Sequence, residues 1–181
     1  YYDMKDLNKA YFAGVCFWCT EAIFSRLKGV IEVYPGYTGG GVANPQYKQV
    51  CLGITGHAEA VEILYDQTII SYKTLLEVFF STHNPTTLNK QGNDIGSQYR
   101  SAIYCVNEDE LKLAKIYVNE LTDKKIFSEL IVTELKMLTR FYKAEIEHKG
   151  YYDLNSNQPY CAAIISPKIK KLMEQNKEIL K

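Results

Sequence analysis

The sequence has no excess of charge of either sign, since Lys plus Arg and Asp plus Glu both number 21 in 181 residues. Balanced charge argues against a nucleic-acid or membrane-surface partner. It also has no apolar run approaching the roughly 20 residues that cross a bilayer. An even, regular set of cysteines is missing too, because the five stand at positions 16, 19, 51, 105 and 161. That pattern does not suggest a disulfide-stapled secreted scaffold.

The amino terminus, Tyr1-Tyr2-Asp3, lacks a signal-peptide pattern. We therefore expect a cytoplasmic protein, with Met4 as a candidate natural start. Removal of a leader, and with it a periplasmic or secreted location, is equally compatible with the sequence.

The length predicts a single domain over residues 1–181, because one core of this size buries most of its surface. Internal repeats and low-complexity tracts are absent from the sequence. We expect a catalytic core at about 10–140, an irregular segment over 142–166 and a terminal helix over 167–180. We also expect a monomer.

Hydrophobic periodicity predicts strands that interleave with helices. The predicted strands are 10–15, 30–34, 58–65, 99–106 and 130–138, and the predicted helices are 17–28, 71–82, 108–121 and 167–180. Pro35-Gly36 is expected to end the second strand, and Ser71 to cap the second helix. The pattern favours an α+β (mixed α/β) fold, in which helices pack on a single mixed sheet as a ferredoxin-like two-layer sandwich, with a long irregular C-terminal segment.

The segment Cys16-Phe17-Trp18-Cys19 lies where an apolar run gives way to a helical pattern. A thiol at a helix opening meets unpaired N–H groups and the positive end of the helix dipole, which favour the reactive thiolate. A single cysteine here is more often a small core residue. The second cysteine leaves three interpretations open, namely a thioredoxin-like disulfide exchanger, a zinc-binding module and a cysteine-nucleophile enzyme.

Four further segments hold polar groups that packing alone does not explain. They are Gly36-Tyr37-Thr38-Gly39-Gly40, the stretch from Gly56-His57-Ala58-Glu59 to Glu62, His83-Asn84-Pro85-Thr86, and the polar stretch from Gln91 to Ser101. Together with Cys16-Phe17-Trp18, and with Tyr160-Cys161 near the end, they closely resemble the A-type peptide-methionine sulfoxide reductases. The resemblance runs in the family's order over about residues 10 to 170.

The chain also departs from the family pattern. Val15 stands where glycine is usual, Cys19 where many members have glycine, and Asn84 where aspartate is usual. Glu147 and Lys149 flank His148 at positions where the family commonly has Tyr and Gln. None of these changes removes a residue expected to carry chemistry, although a Cβ at Val15 is expected to narrow the approach to the sulfur.

The resemblance implies thiol-dependent reduction of the S epimer of methionine sulfoxide, free or in proteins. Cys16 would attack the sulfoxide sulfur, and Glu59 would protonate the departing oxygen. Glu59 lies between Ala58 and Ala60, an apolar setting that would raise its pKa. We therefore expect Glu59 to be protonated and Cys16 to be poised for attack.

The resemblance also implies the roles of the surrounding residues. Tyr47 and Tyr99 would hydrogen-bond the sulfoxide oxygen, and Asp94 would bind the substrate backbone. Phe17 and Trp18 would enclose the S-methyl group, because sulfur and methyl groups pack well against aromatic rings. His83 and Tyr160 complete the set of expected substrate-binding residues.

Attack would leave Cys16 as a sulfenic acid that a second thiol must resolve. Cys161 matches a family resolving position and is favoured, while Cys19 is a rival that needs no loop movement. Cys51 and Cys105 lie in periodic apolar settings and are expected to be inert. The resemblance implies thioredoxin as the partner that reduces the disulfide, with no cofactor and no metal.

Overall fold

The structure, a computed structural model, describes residues 7–181, so residues 1–6, including Met4, lie outside the described part. Its strands are Asn8–Ala13 (β1), Val30–Thr38 (β2), Ala58–Tyr65 (β3), Lys90–Gln91 (β4), Asp94–Ile95 (β5), Ala102–Cys105 (β6), Glu134–Met137 (β7) and Phe141–Lys143 (β8). Its α-helices are Phe17–Phe24 (α1), Tyr47–Cys51 (α2), Tyr72–Ser81 (α3), Glu108–Asp123 (α4), Tyr151–Asn155 (α5) and Ser166–Gln175 (α6). Short 3-10 turns cover Ser97–Tyr99, Ile146–His148 and Lys177–Ile179, and Cys161–Ile165 is π-helical.

Six strands form one sheet in the order β7-β6-β1-β3-β2-β8. Within it, β1-α1-β2-β3-α3-β6 has the spatial order β6-β1-β3-β2 with antiparallel neighbours, which is the ferredoxin-like arrangement. The parallel pairing of β6 with β7 makes the sheet mixed. The expected fold class is therefore confirmed. β4 and β5 form a separate two-stranded hairpin.

Strand β3 lies at the centre of the sheet and is buried along its whole length. Alternate side chains of a strand point to opposite faces, so Glu59 shares a face with Val61 and Ile63. Those two residues belong to the main core, whereas Ala58 and Ala60 belong to a smaller cluster on the other face. The strand therefore delivers a carboxyl group into the core.

The prediction that Pro35-Gly36 ends the second strand is wrong, because β2 continues through both residues to Thr38. Pro35 keeps its place in the ladder by accepting a hydrogen bond from the Ala144 N–H at 2.9 Å. Gly36 lies so close to β8 that an added Cβ would come within 2.3 Å of the Tyr142 carbonyl oxygen. This glycine permits a close strand contact and does not break the strand.

The start of α3 and the end of α6 can be compared with their predicted positions. Ser71 caps α3 as predicted, since its hydroxyl accepts the Thr74 N–H at 3.1 Å. The terminal helix α6 ends at Gln175 and a 3-10 turn follows it. The predicted helix over 167–180 is therefore too long at its carboxyl end.

The segment 142–166, for which the sequence shows little periodicity, contains only short elements joined by turns. The division of the chain into core, irregular segment and terminal helix within one domain stays a prediction. No helix in the described part of the chain is long and apolar enough to cross a membrane.

Candidate active site

Cys16 occupies the N-cap position of α1, directly after β1 delivers the chain to one edge of the core. Its carbonyl oxygen accepts the Cys19 N–H at 3.0 Å, which closes the first turn of the helix. The residue is 5% exposed. The thiol therefore lies at a helix opening, as predicted, but beneath a cover of other side chains.

Glu59 lies beside this opening and is completely buried. Its Oε1 atom accepts the backbone N–H of Phe17 at 3.2 Å, so the carboxyl group is fixed to the residue that follows Cys16. Its Oε2 atom is buried without a hydrogen-bond partner among the described residues. A buried polar atom of this kind needs a partner, and a substrate oxygen would supply one.

Burial raises the pKa of Glu59 to about 8, although the Phe17 N–H opposes the shift. Burial also raises the pKa of Cys16, and the charge of an ionised Glu59 adds to the effect, while the Trp18 backbone N–H opposes it. The helix opening therefore does not by itself make Cys16 a thiolate. A protonated Glu59 removes the carboxylate contribution, which agrees with the expected protonation state.

Tyr47 begins α2 and Tyr99 lies in the 3-10 turn that precedes β6. Burial raises the pKa of both phenols, and the charge of Glu59 adds to both shifts. Both phenols therefore stay protonated and can donate hydrogen bonds near Glu59. The structure thus places the two predicted tyrosines within electrostatic range of Glu59.

The two aromatic residues after Cys16 occupy different environments. Phe17 is fully buried and packs on Tyr47 with a 6.0 Å centroid separation. Trp18 is half-buried and stacks on Tyr151 at 3.8 Å. Trp18 therefore presents the more accessible ring beside the thiol.

His148 holds Trp18 from the other side, because its Nδ1 accepts the indole N–H at 3.0 Å. The ring is buried and lies 4.4 Å from that of Tyr47, centroid to centroid. Burial lowers the pKa of His148, which favours the neutral form that can accept at Nδ1. Sequence reasoning missed this contact, since the stretch around His148 has little periodicity and gave no signal beyond its unusual neighbours.

Asp94 and Tyr160 meet across the opening of the site. Asp94 lies in the β4–β5 hairpin and accepts a hydrogen bond from the Tyr160 hydroxyl at 2.5 Å. The Tyr160 ring also meets Trp18 edge-on at 6.2 Å. The structure therefore brings together two predicted substrate-binding residues, already bonded to each other.

His83 has both ring nitrogens engaged within the protein. Nδ1 lies 2.6 Å from the Phe79 carbonyl oxygen and Nε2 lies 2.8 Å from the Ser101 hydroxyl. Burial lowers its pKa to about 4. His83 ties the end of α3 to the start of β6, and its role in substrate binding stays a prediction.

The described cysteines are all free, and they differ in accessibility. Cys19 and Cys161 are buried in the same core cluster as Cys16. Burial raises the pKa of Cys19 to about 11, with Lys168 opposing and Cys161 contributing. Cys105 is buried as expected, but Cys51 is exposed on α2 and lies beside Tyr47, so its predicted apolar setting is wrong.

One group of described residues has potential metal ligands within 4.8 Å of one another, namely Glu145, Glu147 and His148. It includes neither Cys16 nor Cys19. Within the described part of the chain, the geometry thus provides no cysteine-based zinc centre.

Comparison with known proteins decides between the interpretations that the sequence left open. Residues 8–180 match the family profile described as "Peptide methionine sulfoxide reductase". The chain belongs to this family. It is 52% identical to a peptide methionine sulfoxide reductase MsrA of Saccharolobus solfataricus over 168 residues, covering 93% of this chain and 94% of the relative. A relative from Sulfolobus acidocaldarius with the same name is 50% identical, with the same coverage.

Solved structures of this reductase family share the fold. The reduced form of Mxr1 from Saccharomyces cerevisiae has a TM-score of 0.79 at 33% identity, covering 89% of this chain and 92% of Mxr1. Methionine sulfoxide reductase A of Corynebacterium diphtheriae has a TM-score of 0.74 at 32% identity, covering 82% and 75%. Mxr1 in complex with Trx2 has a TM-score of 0.55 at 25% identity, covering 83% and 88%.

Proposed function

We propose that this reductase acts on the S epimer of methionine sulfoxide, with Cys16 as nucleophile and Glu59 as general acid. The observation that carries the proposal is the buried carboxyl group of Glu59 at the opening of α1, where Oε1 accepts the Phe17 N–H and Oε2 has no hydrogen-bond partner among the described residues. A sulfoxide oxygen would complete the hydrogen bonding of this atom. Membership of the family supports the same reaction class.

Cys16, Glu59 and the sulfoxide together account for every atom and proton in this reaction. The Cys16 sulfur attacks the sulfoxide sulfur, and Glu59 gives its proton to the oxygen as the S–O bond weakens. The oxygen ends on Cys16 as a sulfenic acid, methionine leaves, and the former thiol proton restores protonated Glu59. Because burial raises the pKa of Glu59 to about 8, the acid retains its proton at neutral pH.

The surrounding residues orient the sulfoxide. Tyr47 and Tyr99 stay protonated and donate to the oxygen beside Glu59. Trp18 provides an apolar surface for the S-methyl group, and Phe17 supports it from the core. Asp94 binds the substrate backbone N–H once Tyr160 releases it.

Recycling requires a second thiol and an external reductant. Cys161 is the preferred resolving residue, and its membership of the same buried core cluster as Cys16 supports this role. Cys19 is the rival, one helical turn from Cys16. Yeast Mxr1 has been captured with Trx2, which supports thioredoxin as the reductant here.

The proposal assigns no prosthetic group, because the thiols themselves carry the two electrons. We place the enzyme in the cytoplasm as a monomer. The support for this location is the odd number and uneven spacing of the five cysteines, which do not suggest a disulfide-stapled secreted protein.

The decisive experiment offers each sulfoxide epimer separately, with dithiothreitol as reductant. We expect methionine from the S epimer and none from the R epimer. Similar rates with both epimers would refute the assignment. Reduction of insulin disulfides without sulfoxide turnover would instead indicate a thiol–disulfide exchanger.

A further inference from the structure

A groove of about 730 Å³ lies next to the proposed site, between α6, the end of α3 and the β4–β5 hairpin. Asp94 and Tyr160 line it, whereas Cys16 is not among the described residues that do. Val15, the residue directly before Cys16, also lines it, so the groove borders the reacting centre. Pockets of about 300 to 1,000 Å³ hold drug-sized ligands, so this groove has room for more than one side chain.

The charge of the groove comes from one helix. Lys168 and Lys171, on α6, both line it. Neither lysine forms an ion pair with a described residue. The carboxylate that faces them across the groove, Asp94, is already bonded to Tyr160. The two lysines therefore outnumber the single carboxylate among the lining residues, which leaves the groove with a net positive charge.

The rest of the lining suits a peptide. Asn93 and Gln175 offer amide groups for main-chain hydrogen bonds, and Leu172 and Pro167 offer apolar contact. Amides that both donate and accept match the alternating N–H and C=O groups of an extended chain. Continuity with Asp94, the residue proposed to hold the substrate backbone, aligns such a chain with the site.

We propose that this groove binds the residues that flank the oxidised methionine and selects peptides with acidic side chains near it, through Lys168 and Lys171. The inference rests on the proposed function, since it concerns the substrate of the same site. The occupant is an oxidised protein segment with Asp or Glu close to the sulfoxide.

The test uses blocked peptides that carry one S-sulfoxide and either Glu, Gln or Lys on its amino or carboxyl side. With dithiothreitol as reductant, we expect kcat/KM to be about 2- to 10-fold higher for the Glu peptide than for the Gln peptide, as two partly exposed ion pairs would give. The effect should appear in KM, because these contacts are equal in the ground and transition states. It should weaken as salt is added.

Variants identify the groove as the cause. Lys168→Gln combined with Lys171→Gln should make kcat/KM for the Glu peptide nearly equal to kcat/KM for the Gln peptide. Lys170→Gln is the matched control, because Lys170 is exposed on the same helix but outside the groove, and it should keep the preference.

Equal kcat/KM for all peptides of the unaltered enzyme would overturn the inference, as would a preference that survives the double substitution. If the double variant changes only the KM for thioredoxin, the groove belongs to the reductant and the inference is also overturned. Turnover of free S-sulfoxide by the unaltered enzyme tests the proposed function separately. If the enzyme reduces free S-sulfoxide but shows no preference among the peptides, the inference about the groove is refuted and the proposed function is not.

Discussion

The indole N–H of Trp18 donates to Nδ1 of His148 at 3.0 Å, and the two rings stack with a 5.9 Å centroid separation. The bond requires a lone pair on Nδ1, so it exists only while that nitrogen is unprotonated. Trp18 is stacked on Tyr151 on its other side. The Trp18 ring, the proposed methyl-binding surface, is therefore held in place by a neutral histidine.

The sole tryptophan of the sequence reports this contact directly. Burial lowers the pKa of His148, opposed by the charges of Glu145 and Glu147. Protonation as the pH falls should break the bond and change Trp18 fluorescence, with a midpoint below the usual value of about 6.5. His148→Gln keeps an acceptor without the titration, so its fluorescence should stay level over the same range. The same transition in the Gln variant would assign the signal to another group.

Cys16→Ser should abolish methionine formation in a single turnover. An alcohol is a poor nucleophile at neutral pH without an adjacent base, and the neighbouring Glu59 is protonated. Cys51→Ser is the control, because this exposed thiol has no assigned role and the variant should keep its first turnover. Substantial methionine from the Cys16 variant would place the nucleophile elsewhere.

Glu59→Gln should slow the chemical step far more than it weakens binding, since Gln can hydrogen-bond but cannot supply the proton. General acid catalysis contributes about 10²- to 10⁴-fold in rate, or about 3 to 5 kcal/mol. The rate of the unaltered enzyme should fall as the pH rises through about 8, where Glu59 loses its proton, and the Gln variant should lack this fall. Single-turnover rates at saturating sulfoxide across this pH range measure both effects. A loss under about tenfold would remove Glu59 from the role of acid.

The same carboxyl group should lower stability as the pH rises. The folded pKa of Glu59, about 8, exceeds the unfolded value of about 4.3. Between these values the folded state retains a proton that the unfolded state has released, so its stabilisation is complete below the lower pKa and is lost progressively up to the higher one. Denaturant unfolding measures the free energy of unfolding of Glu59→Gln and of the unaltered chain. Relative to the unaltered chain, the free energy of unfolding of the variant should rise by about 1.4 kcal/mol per pH unit between about pH 5.5 and 7.5. A constant difference would mean that Glu59 is ionised in the folded state.

Local patterns in the sequence were sufficient for five strands of the main sheet, for the helices α1, α3, α4 and α6, and for the position of Cys16 at a helix opening. The β4–β5 hairpin, β8 and α5 were not predicted. The strand over Ala58–Tyr65 and the cap at Ser71 follow from alternation and from a hydroxyl before a helix. Contacts between distant segments were not accessible in this way. Pro35-Gly36 continues β2 because β8 approaches it, and His148 meets Trp18 across 130 positions of the chain. Such pairings depend on the folded surface and leave no local pattern.

Recycling separates the two candidate resolving thiols. Cys161→Ser should leave the first turnover intact, because Cys16 and Glu59 are unchanged, but it should depress steady-state turnover with thioredoxin. Cys19→Ser should affect steady state little, since Cys161 remains to resolve the sulfenic acid. Peptide mapping of the oxidised enzyme should then find a link between Cys16 and Cys161. Cys161 is buried within the π-helical turn next to α6, whereas Cys19 lies one turn from Cys16. A link found only between Cys16 and Cys19, together with normal recycling by Cys161→Ser, would make the two cysteines of α1 the working pair.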